Sequence, residues 1–279
     1  MSAERHILGL SGGRDSAALA VYMRQHHPKL PLEYFFTDTG KELPEAYLFL
    51  DRLEGFLGRP IERLNPDRDF DFWLAEYGNF LPSPRTRWCT RQLKLRPLEQ
   101  WIKDDLEQGV IVHSYVAIRA DEPYRDGYQA THPNMKVHFP LRDAGVDRAG
   151  VIEILESADV GEPDYYRWRS RSGCTFCFFQ QKIEWVRLHE EHPDRFAEAV
   201  DYEKTALKDG SPFTWSMGES LLDLVRPERV AQIKADYEAR CERLRRRRPA
   251  NPLSGRSPDT IDDIYGIDEA AGGCIICHK

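Results

Sequence analysis

Two adjacent glycines, Gly12 and Gly13, stand where an apolar strand predicted over residues 5–10 runs into a helix predicted over 15–26. Glycine has no Cβ atom, so the backbone of such a turn can approach a bound ligand closely. The first turn of the helix adds unpaired N–H groups and the positive end of the helix dipole. We therefore predict that an anion binds to the turn Ser11-Gly12-Gly13-Arg14-Asp15-Ser16.

Strands and helices alternate along the first half of the chain. Strands are predicted over 5–10, 32–37 and 60–64, and the apolar run at 110–118 is typical of a buried parallel strand. The alternation predicts an α/β fold with a doubly wound, mostly parallel sheet, whose ligands bind beyond the carboxyl ends of the strands. The helices between these strands are predicted over 15–26, 44–57, 69–77 and 92–107.

The composition is that of an ordinary globular protein, with 279 residues, 41% hydrophobic residues and 30% charged residues. No uninterrupted apolar stretch approaches the roughly 18–20 residues of a membrane span, and the first residues enter a strand without a signal peptide. We therefore expect a cytoplasmic protein with no membrane contact. The formal net charge of −7 means that contact with nucleic acid would depend on local basic patches, such as Arg245–Arg248.

Six cysteines in a chain expected to be cytoplasmic indicate metal or redox chemistry rather than a disulfide framework. Four of them form two Cys-x-x-Cys pairs, and such a pair can direct two thiolates to one metal centre. The spacing alone leaves a structural Zn²⁺ site and an iron–sulfur centre equally open. The cysteines are Cys89, Cys174, Cys177, Cys241, Cys274 and Cys277.

The turn at 11–16 has the Ser-Gly-Gly-x-Asp-Ser pattern of the PP-loop ATP pyrophosphatases, which the chain resembles. It lacks the Lys-Ser/Thr of a Walker A loop and the Gly-x-Gly-x-x-Gly of a dinucleotide site. The second strand ends in Asp38-Thr39-Gly40, as in the phosphoadenylylsulfate reductase branch of that group. The resemblance implies ATP bound at the first turn, with Asp38 and Thr39 beside the nucleotide. A plain tight turn and a helix cap are the alternatives for these two motifs.

The resemblance extends to the cysteines. Iron–sulfur adenylylsulfate reductases carry two adjacent cysteines before a Pro-Leu pair, where this chain has Cys89 and Thr90, and a later Cys-x-x-Cys, here Cys174 and Cys177. The family pattern thus implies a [4Fe–4S] cluster held by Cys89, Cys174 and Cys177, with Zn²⁺ as the alternative. The fourth ligand would be Cys274 or Cys277, or the fourth iron would stay open.

The resemblance also implies the remaining site residues. Arg119 and Arg125 match an arginine motif next to the nucleotide, although Arg119 could instead pair with Asp121. Mg²⁺ is assigned to Asp15 or Asp38, because hard cations favour carboxylate oxygens. Asp15, Cys274 and Cys277 are the predicted catalytic residues. The predicted ATP-binding residues are Ser11, Gly12, Gly13, Arg14, Asp15, Ser16, Asp38, Thr39, Lys94, Arg119 and Arg125.

Three parts of the chain are expected from these observations. Residues 1–145 are predicted to form a PP-loop nucleotide-binding α/β domain. Residues 146–248 are predicted to form a helical, cysteine-containing region, with helices at 147–158, 180–191 and 227–247. Residues 249–279 are predicted to be a linker and a cysteine tail, because Pro, Gly and Ser are dense over 249–259.

The pattern is closest to that of the DNA phosphorothioation sulfurtransferases. It implies an ATP-dependent sulfurtransferase that adenylates an acceptor, releases pyrophosphate and inserts sulfur with the aid of an iron–sulfur cluster. The expected partners are a cysteine desulfurase as sulfur donor and a nucleic acid acceptor, with DNA favoured over tRNA.

Three alternatives to this function remain open. One is a thioredoxin-dependent reductase of adenylyl sulfate or its 3′-phosphate, although such reductases end in Glu-Cys-Gly-Leu-His and this chain has Gly273-Cys274-Ile275-Ile276-Cys277-His278. Another is a tRNA thiolase, which differs from the first hypothesis only in its acceptor. The last is a non-catalytic nucleotide sensor, which would bind ATP without releasing pyrophosphate.

Overall fold

The computed structural model describes residues 3–65, 68–123, 125, 132–208, 214–216 and 218–246. The predicted linker and tail at 249–279, with Cys274 and Cys277, lie outside the described residues. None of the helices within the described ranges combines the length and apolar character that crossing a bilayer requires.

A five-stranded parallel sheet forms the centre of the first half of the chain, as the sequence predicts. Its spatial order is β3-β2-β1-β4-β5. Every pair of neighbouring strands is parallel, so all the carboxyl ends meet at one edge of the sheet. The strands are β1 (Glu4–Leu10), β2 (Leu32–Thr37), β3 (Ile61–Leu64), β4 (Ile111–Tyr115) and β5 (Met135–His138).

The helices begin and end where local chemistry permits. The helix predicted at 44–57 is confirmed: Pro44 opens it, where a missing N–H costs little, and Gly58 ends it in a left-handed conformation with φ of 63°. The helices are α1 (Arg14–His26), α2 (Pro44–Leu57), α3 (Phe70–Glu76), α4 (Trp88–Thr90), α5 (Arg96–Glu107), α6 (Pro140–Asp143), α7 (Arg148–Ser157), α8 (Lys182–Glu191), α9 (Pro193–Lys208), α10 (Leu221–Leu224) and α11 (Pro227–Arg246).

Several elements differ from the sequence-based expectation. A π-helical turn, Arg91–Leu95, joins α4 to α5, so the predicted helix starts earlier and is not regular. The strand predicted at 110–118 ends at Tyr115, and the residues after it leave the sheet towards its carboxyl edge. Neither β5 nor α9 was expected, since a four-residue strand has little periodicity and α9 begins after a single residue that follows α8.

Helices cover both faces of the sheet. On one face α1, α2 and α7 bury a core that includes Leu8, Leu19 and Leu155, and on the other α5 packs Ile102 against Val112. A third core lies among α3 and α8–α11, rich in aromatic side chains. Helix α7 follows the boundary predicted at residue 145, yet its apolar side packs against α1.

Helix α2 offers a matched test of this packing. Leu50 is fully buried against the sheet, whereas Leu48 on the same helix is 64% exposed. Leu50→Ala should lower the free energy of unfolding by about 2–5 kcal/mol, because it leaves a cavity in the core. Leu48→Ala should change it by no more than about 0.5 kcal/mol. Urea denaturation measures both, and equal effects would contradict the assignment of this helix face.

Candidate nucleotide and thiol site

The order of the strands reverses at β1, and this reversal creates a crevice. Strands β2 and β3 lie to one side of β1, and β4 and β5 lie to the other. Ligands in such sheets bind at this switch point, beyond the carboxyl ends of the two central strands. The first turn of α1 follows the turn 11–13, and Arg119 follows β4; the two meet there, with Arg119 Nη1 2.9 Å from Asp15 Oδ2.

The turn after β1 is held by its own side chains. Ser11 N–H donates to Ser16 Oγ at 3.1 Å, and Ser16 Oγ lies 3.1 Å from both Ser11 Oγ and the Gly13 carbonyl oxygen. Gly12 has a φ of 70°, a left-handed conformation that L side chains rarely adopt. The two serines therefore hold the turn in one conformation.

A segment of the helical region, residues 165–172, lies directly on this turn. The hydroxyl of Tyr165 donates to the Gly12 carbonyl oxygen at 2.7 Å, and the Ser172 hydroxyl lies 3.2 Å from the Ser11 hydroxyl. A Cβ atom on Gly13 would lie 2.7 Å from Ser172 Oγ. Glycine is thus required at position 13 by the protein's own packing.

The Arg14 side chain is buried in an internal ion pair. Its Nη1 lies 2.9 Å from Glu162 Oε1, and its guanidinium stacks over the ring of Tyr166, 4.3 Å from the centroid. Burial alone would lower the pKa of Arg14, but Tyr166, Asp15 and Glu162 raise it above its usual value. Its charge is therefore permanent and balanced within the protein.

The predicted phosphate ligands Arg119 and Arg125 are both held by carboxylates. Arg119 Nε lies 2.9 Å from Asp121 Oδ1, in addition to the contact with Asp15, and Arg125 Nη1 lies 3.1 Å from both carboxylate oxygens of Glu122. The pKa of Arg119 is raised, since these carboxylates outweigh the effect of burial. A phosphate group bound to either arginine would compete with these carboxylates for the guanidinium.

The residues after β2 are organised as a turn with ordered polar side chains. Asp38 Oδ1 accepts hydrogen bonds from Gly40 N–H at 2.8 Å and from the Tyr47 hydroxyl at 2.7 Å. The Thr39 hydroxyl donates to Glu42 Oε1 at 3.0 Å. Burial raises the pKa of Glu42, although nearby Lys94 opposes that shift. Lys94 itself lies buried in the π-helical turn.

The Cys-x-x-Cys turn is attached to this same segment. The backbone N–H and the hydroxyl of Thr175 both donate to the Lys41 carbonyl oxygen, at 2.7 and 2.8 Å. Arg169 braces the other side, donating to the carbonyl oxygens of Gly173 and Cys174 at 3.2 and 2.8 Å. Cys174 and Cys177 thus lie beside the residues that follow β2.

Of the two thiols, Cys177 loses its proton more readily than Cys174. The hydrogen bond with the Cys174 thiol lowers the pKa of Cys177 to about 6, helped by the Phe179 N–H and by the charges of Arg169 and Arg171. The same hydrogen bond, with burial, raises the pKa of Cys174. At neutral pH the negative charge therefore resides on Cys177.

Arg171 was not predicted as a site residue. It is only 2% exposed, and its Nε and Nη1 atoms have no hydrogen-bond partner among the described residues. A buried cation with unsatisfied donors is costly unless something accepts from it. The Arg-x-Arg-x-Gly-Cys run at 169–174 is a local signal that would have drawn attention to it.

Cys89 lies on α4 and packs against the aromatic core that also contains Phe176. The sulfur atoms of Cys89, Cys174 and Cys177 do not all lie within 4.8 Å of one another. Among the described residues, three potential ligand atoms lie that close together only in Glu4, His6 and His113. Two sulfur ligands of one tetrahedral zinc ion lie about 3.8 Å apart, from bonds of about 2.3 Å. The spacing therefore bears against a three-cysteine zinc site, whereas the cysteines of a cluster bind different irons.

Comparison with known proteins finds matches to parts of the chain. Residues 5–138 match the family model of the phosphoadenosine phosphosulfate reductase domain. An uncharacterized protein of Methanocaldococcus jannaschii is 32% identical over 195 residues, which cover 67% of this chain and 39% of that relative. The chain therefore spans well under half the length of this relative.

Two solved structures are also similar. One is the phosphoadenylyl-sulfate reductase of Candida auris, with a TM-score of 0.48, 14% identity and coverage of 61% of this chain and 81% of that one. The other is the U34-tRNA thiolase of Methanococcus maripaludis with its [4Fe–4S] cluster, with a TM-score of 0.39, 14% identity and coverage of 81% and 82%.

The family match spans the five-stranded sheet from β1 to β5, with the turn after β1, the Asp-Thr-Gly segment, Cys89 and both arginines. Residues 5–138, just under half of the chain, are thus similar to the phosphoadenosine phosphosulfate reductase domain.

Proposed function

We propose that this chain is an ATP-dependent sulfurtransferase that adenylates an acceptor and then delivers sulfur to it. The carrying observation is that the Cys-x-x-Cys segment is hydrogen bonded both to the turn after β1, through Ser172, and to the segment after β2, through Thr175. A nucleotide bound to these two segments and a sulfur-binding centre at Cys174 and Cys177 would share one crevice. That proximity is what a coupled adenylation and sulfur transfer requires.

In the adenylation step, an acceptor oxygen attacks the α-phosphorus of ATP and the bond from that phosphorus to pyrophosphate breaks. The backbone of residues 11–16 would cradle the phosphates, and Lys94, Arg119 and Arg125 would stabilise the charge that develops on the leaving pyrophosphate. The contacts of Arg119 with Asp15 and Asp121 fix the direction of its guanidinium. Mg²⁺ would travel with the phosphates and contact Asp15 or Asp38.

In the sulfur step, a persulfide on Cys274 or Cys277, loaded by a cysteine desulfurase, attacks the adenylated atom and AMP leaves. The other tail cysteine then attacks the persulfide's inner sulfur, which releases the thiolated acceptor and leaves a disulfide. A cellular thiol reductant restores the two thiols. The preferred acceptor is a nucleic acid, with DNA favoured over tRNA, and Arg171 supplies a buried cation for an anionic group of the bound substrate.

The donor set suits an iron–sulfur cluster. The Cys174 and Cys177 thiols lie within hydrogen-bonding distance of each other, and Cys89 packs against the aromatic core that contains Phe176. Soft thiolates in a water-poor setting favour iron–sulfur centres. When bound, a [4Fe–4S] cluster held by Cys89, Cys174 and Cys177 would leave one iron able to take a sulfur ligand.

The family match itself favours a second candidate, a reductase of adenylyl sulfate or its 3′-phosphate. In that reaction a cysteine thiolate attacks the sulfonyl sulfur, and AMP or its 3′-phosphate leaves. A thioredoxin-type dithiol then releases sulfite and becomes oxidised. Release of sulfite from a sulfonucleotide in the presence of reduced thioredoxin, without pyrophosphate release from ATP, would favour this candidate over sulfur transfer.

The contact between Gly13 and Ser172 gives a direct test of the nucleotide site. Gly13→Ala places a Cβ atom 2.7 Å from Ser172 Oγ and should weaken ATP binding by about tenfold or more, because the turn must shift. Gly55→Ala on α2 is the matched control, since among the described residues no atom beyond the neighbouring residues and backbone of its own helix lies within 4 Å of the added Cβ. Calorimetric titration with ATP measures both.

A double variant separates displacement of the turn from general damage. Ser172→Gly removes the nearer of the two side chains that the new Cβ would meet, while the Tyr166 hydroxyl at 3.0 Å remains, so Gly13→Ala combined with Ser172→Gly should recover part of the lost affinity. Unchanged ATP affinity in Gly13→Ala alone would contradict a nucleotide site at this turn.

Metal content and pyrophosphate release together test the proposed chemistry. Protein purified without oxygen should carry about four irons and four sulfides per chain and release pyrophosphate from ATP. Cys174→Ser and Cys177→Ser should lose most of the iron, whereas Cys241→Ser on α11 should keep it. Protein that carries no iron or sulfide and releases no pyrophosphate would contradict the proposal, whatever zinc it holds.

The thiol pair predicts a distinct pH dependence in metal-free protein. The rate at which iodoacetamide modifies Cys177 should rise with pH around a midpoint near 6, since the reactive thiolate forms as the pH passes the lowered pKa. Mass spectrometry of the modified peptide measures the rate. A midpoint near 8.5, the value of an ordinary cysteine, would show that Cys174, Arg169 and Arg171 do not stabilise the thiolate.

A further inference from the structure

A group of histidines with one carboxylate lies on the sheet, near the ends of the strands opposite the nucleotide crevice. Glu4 and His6 are two residues apart on β1 and so point to the same face. His6 is the register partner of His113 on β4, and their rings stack with centroids 4.7 Å apart. The parallel pairing of β1 with β4 thus brings together residues that are far apart in sequence.

The three side chains converge on one point through defined atoms. His6 Nε2 and His113 Nε2 each lie 3.9 Å from Glu4 Oε2, and all three ligand atoms lie within 4.8 Å of one another. Two ligand atoms of one tetrahedral zinc ion lie about 3.4 Å apart, from bonds of about 2.1 Å. A contraction of about half an ångström would therefore bring both Glu4–histidine pairs to coordination distance.

The other ring nitrogen of each histidine has its own partner. His6 Nδ1 lies 3.1 Å from the Tyr115 hydroxyl, and His113 Nδ1 lies 2.9 Å from His138 Nε2. Histidines that bind metals have this arrangement, because a hydrogen bond from one nitrogen orients the ring and leaves the other nitrogen's lone pair for the metal. His113 Nε2 is buried and has no hydrogen-bond partner within the described part of the chain.

We propose that Glu4, His6 and His113 form a binding site for one divalent transition-metal ion such as Zn²⁺. Two imidazole nitrogens and one carboxylate oxygen suit zinc and its neighbours in the first transition row, and three protein ligands leave a position for water. The Glu4 side chain is 53% exposed, which gives an ion access from solvent. The donors are nitrogen and oxygen, so this site is chemically distinct from the thiols of Cys174 and Cys177.

Cobalt(II) is the probe that tells the two kinds of site apart. Untagged protein, freed of metal with a chelator, is titrated with Co²⁺ and followed by absorption spectroscopy. The proposal predicts weak ligand-field bands from a site of nitrogen and oxygen donors, without the intense charge-transfer band that thiolate ligands produce. A Co²⁺ spectrum that contains only thiolate-bound metal would overturn it.

Variants assign the ligands. Glu4→Gln alters an exposed side chain and should weaken Co²⁺ binding at this site at least tenfold while the fold is kept. His113→Gln should abolish it. His26→Gln, at an exposed histidine in the last turn of α1, is the matched control and should bind Co²⁺ as the wild type does. Wild-type affinity in Glu4→Gln and His113→Gln would overturn the proposal.

Discussion

The hydrogen bonds between residues 165–175 and the carboxyl edge of the sheet fix the position of the Cys-x-x-Cys turn relative to that sheet. Tyr165 and Ser172 hold the helical region against the turn after β1, and Thr175 holds it against the segment after β2. Each bond joins parts of the chain that are more than 100 residues apart. Without them the sheet would still form an open crevice, but the cysteines would have no fixed position relative to it.

Charge at this edge is arranged in two different ways. Around Arg119, three carboxylates surround one guanidinium, so the charge on this side of the crevice is fixed in direction and largely balanced. Around Cys177 the cations Arg169 and Arg171 favour a negative sulfur, and Arg171 has donor atoms still unsatisfied among the described residues. The cysteine side is therefore the more electropositive part of the crevice.

Local signals in the sequence predicted the sheet, the turn at 11–16 and most helices. Pro44 and Gly58 bound a helix that could be placed to the residue, because each acts on its own stretch of backbone. Arg171 and Glu42 could not be placed, since their importance arises from neighbours brought close only by the fold. The same is true of His6 and His113, whose contact depends on the register between β1 and β4.

The π-helical turn at Arg91–Leu95 affects how the two halves of the site are aligned. A π-helical turn holds one residue more than an α-helical turn, and each residue of an α-helix rotates the chain by about 100°. Helix α5 is fixed against the sheet, so this extra residue sets the direction in which Cys89 and Trp88 leave the helix. Deleting a single residue here would preserve a continuous helix and yet turn Cys89 away from the aromatic core. The number of residues between Cys89 and Pro97 thus sets the direction of the Cys89 side chain. An insertion or deletion between them would rotate Cys89 about the helix axis.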